Sequence, residues 1–107
     1  MILQINFSFN MPVAEYQKMI DSIAHAFLEV PGLRWKIWLL NAAAQEAGGI
    51  YLFDSQVSLN AYLNGPFVAK LKGLESIRNV SIKQFEVMPK ATALTRGPVE
   101  ATLMLEA

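Results

Sequence analysis

Residues 30–53 read Val-Pro-Gly-Leu-Arg-Trp-Lys-Ile-Trp-Leu-Leu-Asn-Ala-Ala-Ala-Gln-Glu-Ala-Gly-Gly-Ile-Tyr-Leu-Phe. Pro31-Gly32 breaks whatever precedes it, and Leu33 to Leu40 then forms a strand. In that strand Trp35, Ile37 and Leu39 face one way, and Arg34, Lys36, Trp38 and Leu40 face the other. Asn41 to Ala47 is a hairpin connection of small residues. Gly48 to Phe53 is the next strand, with Ile50 and Leu52 on one face and Tyr51 and Phe53 on the other. Both strands are apolar on both faces, so both sides of the sheet need cover. A chain of 107 residues supplies helices for one side. A second copy of the chain is expected to supply the other.

Working outward, Ile2 to Phe9 alternates, with Leu3, Ile5, Phe7 and Phe9 on one side and Gln4, Asn6 and Ser8 on the other. This pattern predicts a half-buried strand. Asn10 offers an N-cap and Pro12 fits a first helical turn. From Met11 to Leu28 the residues Val13, Tyr16, Ile20, Ile23 and Phe27 make the apolar stripe of one helix. After the hairpin, Asp54 or Ser55 caps a second helix that runs to Asn64. Gly65-Pro66 interrupts it, and Pro66 opens a further turn through Phe67 and Leu71 to Leu74. Ile77 to Met88 is a last strand, whose phase slip between Ile82 and Phe85 suggests a bulge near Lys83-Gln84. The order β-α-β-β-α-β predicts an α+β, ferredoxin-like domain over residues 1–88 with a four-stranded antiparallel sheet. Residues 89–107 form a tail, with an apolar end at Leu103, Met104 and Leu105, expected to pack on the domain or its partner subunit.

Composition narrows the function. Hydrophobic residues make up 53% of the chain, and exchanging its 3 Tyr for its 6 Gly in that count only raises the figure. Ordinary soluble domains sit at roughly 45–50% on that scale. The excess points to an oligomer interface, a ligand pocket, or both. Net charge is zero, from nine basic and nine acidic residues without a charge block. That pattern is unlike a nucleic-acid or anionic-membrane binder. No run reaches transmembrane length and the N-terminus lacks a basic leader, so a cytoplasmic protein is expected. With no cysteine and one histidine, disulfides are excluded and a structural metal site lacks its usual ligands.

The aromatic residues Trp35, Trp38, Tyr51, Phe53, Tyr62 and Phe67 fall on the two middle strands or on the helical region behind them. Core and interface packing is the plain reading of such a set; an aromatic-lined pocket is the functional one. A hairpin symmetric about residues 41–47 sets Trp38 opposite Tyr51 or Ile50. In the first register Trp38, Tyr51, Phe53 and Lys36 share a face, expected to form a wall of a ligand site. Arg34 and Lys36 also share a face, which reads as a solvated edge or an ion pair between subunits. Gly48-Gly49 reads as a bulge or a close backbone approach. His25 lies about 200° from Ile23 and Phe27 around the first helix, away from the apolar stripe, flanked by Asp21 and Glu29. Glu46 and Asp54 sit at opposite ends of their strand, too far apart to act as a paired acid and base. No phosphate loop, dinucleotide fingerprint or catalytic triad is present.

Phe-Ser-Phe-Asn at 7–10, Pro-Gly at 31–32, Trp-Lys-Ile-Trp at 35–38, Glu-Ala-Gly-Gly-Ile-Tyr-Leu-Phe at 46–53 and Ala-Tyr-Leu at 61–63 together resemble the YdhR-like monooxygenase family of the dimeric α/β-barrel superfamily. The likeness spans about residues 2–88. It implies a homodimer whose two sheets face each other as a barrel, with a pocket between sheet and helices in each subunit. The wider superfamily includes cofactor-independent oxygenases of phenolic compounds and haem-degrading enzymes. The latter use a histidine on the second helical region, and Phe67-Val-Ala-Lys-Leu-Lys has none. The resemblance therefore implies a monooxygenase without metal, haem or other cofactor, acting on a small hydrophobic phenolic or quinol-like compound. The alternative is a protein that binds such a metabolite without turning it over. The residues of suitable type for the ligand are Asn10, Trp35, Lys36, Trp38, Tyr51, Phe53, Tyr62 and Phe67. Lys36 is suited to hold a phenolate electrostatically, and no side chain stands out as a base.

Overall fold

The computed structural model describes residues 1–99. Its elements are β1 (Ile2–Phe9), α1 (Val13–Ile23), a 3-10 segment (Ala24–Glu29), β2 (Leu33–Asn41), β3 (Glu46–Phe53), α2 (Gln56–Leu63), α3 (Pro66–Gly73), β4 (Ile77–Phe85) and α4 (Pro89–Leu94). The strands form one antiparallel sheet in the order β2-β3-β1-β4. This is the expected ferredoxin-like arrangement, with the first helical region and α2–α3 on one face.

Alternation in β1 decides which face is which. Leu3, Ile5, Phe7 and Phe9 are buried against the helices, and the intervening side chains are half-exposed. Pairing carries that inner face across the sheet. Leu3 lies opposite Tyr51, and Tyr51 lies opposite Lys36. Trp38 lies opposite Gly49. Tyr16, Phe27, Leu59, Tyr62 and Val68 close over this face from the helices. The outer face carries Trp35, Ile37, Ile50 and Leu52 on the hairpin, and Ile2 opposite Phe85 on the other side. Ile37 and Phe85 are each 48% exposed there.

Several local expectations need correction. The strands of the hairpin run to Asn41 and Glu46, and the turn is only Ala42 to Gln45. Asn41 Oδ1 accepts the Ala44 N–H, and Gln45 takes a positive φ of 52°. Trp38 therefore pairs with Gly49, not with Tyr51 or Ile50. Asn10 does not cap α1. The cap position is Pro12, without a side-chain bond, and the Asn10 backbone N–H donates to Ser76 O instead. The helix expected from Met11 to Leu28 gives way to the 3-10 segment at Ala24. Pro31 disfavours helical geometry at Val30, which is extended (φ −70°, ψ 118°), and the last turns before it tighten. Of the two proposed caps for α2, Ser55 serves, its Oγ accepting the Ser58 N–H at 3.1 Å.

The bulge lies earlier in β4 than Lys83-Gln84. The β1–β4 register shifts between Asn6, opposite Ser81, and Ser8, opposite Arg78. Asn79 there has φ 57°, a left-handed conformation that asparagine tolerates. The extra residue lets Ile77, Val80 and Ile82 all pack on the core. Phe85 belongs to the outer face, so no slip is needed beside it, and β4 ends there rather than at Met88.

The tail returns to the outer face through α4. The indole N–H of Trp35 donates to Pro98 O at 2.7 Å. Trp35, Ile2, Met88, Thr92, Pro98 and Val99 line a cleft of about 460 Å³. Residues 100–107, including Leu103, Met104 and Leu105, lie outside the described residues.

Candidate functional site

Lys36 is the unexpected side chain. Its place on β2 opposite Tyr51 turns it toward the helices, not to a solvated edge. Its stem crosses over Gly49, where a Cβ would stand 2.7 Å from Lys36 Cε. The amine ends among three rings, with Nζ 3.3 Å from the Trp38 centroid, 3.9 Å from Phe27 and 4.5 Å from Tyr51. Phe27 meets Trp38 edge to face at 5.0 Å. Burial disfavours the charged amine and lowers its pKa from 10.5 to about 7. The ring faces act in the opposite sense by stabilising an ammonium. Lys36 is thereby poised between its two forms near neutrality.

Beside the amine is a cavity of about 220 Å³ bounded by the sheet, the first helical region and α3. Phe27, Lys36, Trp38, Tyr51, Tyr62 and Phe67 form its chemically distinctive walls. Ile20 and Ile23 from α1, and Leu71 and Leu74 from the far side, complete the apolar enclosure. Lys70, exposed on α3, also lines it, and among the described residues no carboxylate does. Tyr62 donates its hydroxyl hydrogen to Tyr51 Oη at 3.1 Å. Burial first, and then the neighbouring Tyr62, push the Tyr51 hydroxyl pKa far up. Burial also raises that of Tyr62, partly offset by the same hydrogen bond. Both phenols therefore stay protonated at neutral pH, and the Tyr51 O–H remains available to donate.

An outer groove of about 490 Å³ runs between the 3-10 segment and α2–α3, sharing Tyr62 and Phe67 with the inner cavity. Ala26, Val30, Ala61 and Pro66 line much of it. It lacks the convergence of rings and amine that distinguishes the inner cavity, so the inner one is the candidate site.

Five of the eight residues singled out in the sequence meet there: Lys36, Trp38, Tyr51, Tyr62 and Phe67. Phe53 is fully buried behind them, stacked at 6.2 Å from Tyr51. Trp35 lies on the opposite face of the sheet, bonded to Pro98. Asn10 is exposed at the end of β1. Phe27 was not singled out, although it touches Lys36, Trp38 and Phe67. Its only signal was membership of the apolar stripe, which also describes an ordinary core residue. His25 is exposed and does not line the cavity. Among the described residues no group of three or more His, Cys, Asp or Glu stands together as metal ligands, and no helix is long and apolar enough to cross a membrane.

The profile of the family described as "Putative mono-oxygenase ydhR" matches residues 2–98. No curated protein matches the chain. Among solved structures, a putative antibiotic biosynthesis monooxygenase from Deinococcus radiodurans is similar at 17% identity and TM-score 0.64, over 80% of this chain and 90% of that one. SnoaB, a cofactor-independent oxygenase from Streptomyces nogalater, is similar at 17% identity and TM-score 0.63, over 81% and 92%. MhuD, a heme-degrader from Mycobacterium tuberculosis solved with two hemes in its active site, is similar at 22% identity and TM-score 0.62, over 82% and 96%. At these identities the likeness establishes a common fold.

Proposed function

The chain belongs to the ydhR family of putative mono-oxygenases, and from that premise we propose that it oxygenates a small hydrophobic phenol or hydroquinone in the inner cavity without a cofactor. The observation that carries this reading is the aromatic-walled cavity with the Lys36 amine against its rings. A cofactor-free oxygenase needs an electron-rich substrate as its own reductant. The protein's part is to exclude water and stabilise the anion that reacts with dioxygen. For a phenol with a free ring position the balance is ArH(OH) plus O2 giving the quinone plus H2O. The substrate supplies four electrons, one oxygen atom enters the product and the other leaves as water. The single histidine, exposed on the 3-10 segment, does not contribute to this chemistry.

An oxygen electrode tests the reading directly. With metal-free protein and a panel of one- and two-ring hydroquinones, dioxygen uptake is expected to scale with protein concentration. Saturable quenching of tryptophan fluorescence without uptake would replace the enzyme by a binding protein for the same ligands.

The active form in this proposal is a homodimer whose outer sheet faces meet. Ile37 and Phe85, each 48% exposed on that face, support it, since exposed apolar surface of this kind calls for a partner. Light scattering at micromolar concentration should report twice 11.9 kDa or a multiple of it. A well-folded monomer would contradict the barrel.

A further inference from the structure

We propose that Lys36 is the catalytic base of this cavity: a phenol of one or two rings enters with its hydroxyl toward Lys36 Nζ, gives its proton to the amine, and stays as a phenolate paired with the ammonium. The inference rests on the small-phenol reading above and adds to it the proton acceptor that the sequence did not reveal. The step is a proton transfer alone, from ArOH and the neutral amine to ArO⁻ and the ammonium.

Placement comes first. Lys36 reaches the cavity because Gly49 leaves room for its stem, and the rings of Phe27, Trp38 and Tyr51 hold the amine there. Among the described residues no carboxylate lines the cavity to neutralise it. An ammonium formed at this point has ring faces around it but no anion, and a phenolate is the counter-ion it lacks.

Among the described residues the other titratable groups nearby leave no competing base. Tyr51 of β3 and Tyr62 of α2 are bonded to one another and held protonated by burial. Tyr16 of α1 is pushed up to about 12 by burial. Lys70 of α3 is exposed at the margin, and the 3-10 segment presents Phe27, which does not titrate. Tyr51 can donate its O–H to the developing phenolate as a second stabilising contact.

Size limits the substrate. Engineered cavities of about 150 Å³ take benzene, so about 220 Å³ suits one ring or two fused rings.

The test uses 4-nitrophenol, which is yellow only as the phenolate, with purified wild-type protein at pH 6. The bound probe should turn yellow, its ionisation shifted down by roughly one unit or more. Lys36→Met should quench tryptophan fluorescence with the probe still colourless. Lys36→Arg, which keeps the charge but cannot accept a proton, should bind the yellow form yet lose hydroquinone oxidation at pH 8 by roughly a hundredfold, within the usual range for removing a general base. In the wild type the rate should rise with pH through about 7, and Lys36→Met should lose that rise. A colourless bound probe in the wild type, or full oxidation by folded Lys36→Met, would overturn the role of Lys36. Yellow binding without dioxygen uptake by any hydroquinone would leave Lys36 as the phenolate's counter-ion only and remove both its catalytic role and the oxygenase reading. Failure of every phenol to bind would overturn both.

Discussion

Between pH 6 and pH 9 the wild-type protein is expected to gain about 2 kcal/mol of stability relative to a Lys36→Met variant. The sign follows from the amine's surroundings. In the unfolded chain Lys36 holds its proton up to about 10.5, whereas in the fold burial lowers its pKa to about 7. Across that interval the unfolded state binds more protons than the folded one, so raising the pH favours the fold. Below about 7 both states are protonated, and the buried ammonium costs the fold its full penalty. Only the part of the shift between about 7 and 9 falls inside this window, at about 1.4 kcal/mol per pH unit, which is why about 2 kcal/mol or slightly more is expected rather than the larger value that the whole shift implies. Methionine matches the lysine stem in length and carries no charge, so the difference between the two proteins isolates this one titration. In calorimetric melts it should appear as a narrowing of about 8 °C in the Lys36→Met advantage, at roughly 4 °C per kcal/mol for a domain of this size. Parallel pH profiles would place the amine in solvent.

Substitutions of the two adjacent glycines should separate fold from site. A Cβ on Gly48 would stand 1.9 Å from Ile5 O, within the paired β1 strand. Neither backbone can yield without breaking the central strand pair. Gly48→Ala should therefore cost about 3 kcal/mol or more, beyond ordinary overpacking, and a domain stable by roughly 5–15 kcal/mol would lose a large share of its margin. A Cβ on Gly49 meets Lys36 Cε at 2.7 Å, with Ile37 O and Tyr51 Cε1 each at 3.3 Å. Here the flexible end of Lys36 can move. Gly49→Ala should fold, melt within a few degrees of the wild type, and fail to ionise 4-nitrophenol. Denaturant unfolding of both variants, with the colour assay on Gly49→Ala, checks the contrast. Equal destabilisation, or normal ionisation by Gly49→Ala, would contradict the separate roles.

The glycine pair shows how much of this molecule was legible in its sequence. Of the bulge or close backbone approach expected at Gly48-Gly49, the close approach is found at Gly48. That Gly49 makes room for a lysine from the neighbouring strand depends on a cross-strand register that the sequence left open. With a turn of four residues in place of a seven-residue connection, Trp38 pairs with Gly49, one position from the Ile50 partner of one expected register and two from the Tyr51 partner of the other. An even displacement preserves the faces of a strand. Lys36, Trp38, Tyr51 and Phe53 therefore share a face, as in the Tyr51 register, although the pairing differs.

Alternation in β1 and the Pro-Gly break made the order of elements readable. The cavity was less so, because its walls come from elements distant in the chain. Phe27 looks the same in sequence whether its ring meets another core side chain or a lysine amine. Trp35 and Asn10 have chemistry suited to a ligand, but the sheet's two-sidedness and the end of β1 carry them elsewhere. Residue type suggested the site's vocabulary, and tertiary placement selected among its members.

Carbon-13 NMR of protein labelled at the lysine ε-carbons, with Lys36 assigned through Lys36→Arg, measures the proton at the centre of this account. In the free protein the Lys36 signal should titrate near 7. With saturating 4-nitrophenol it should remain that of a charged amine to at least one pH unit higher, because the bound phenolate stabilises the ammonium. A Lys36 signal that titrates at the ordinary lysine value of about 10.5 and does not change with the phenol would contradict the account.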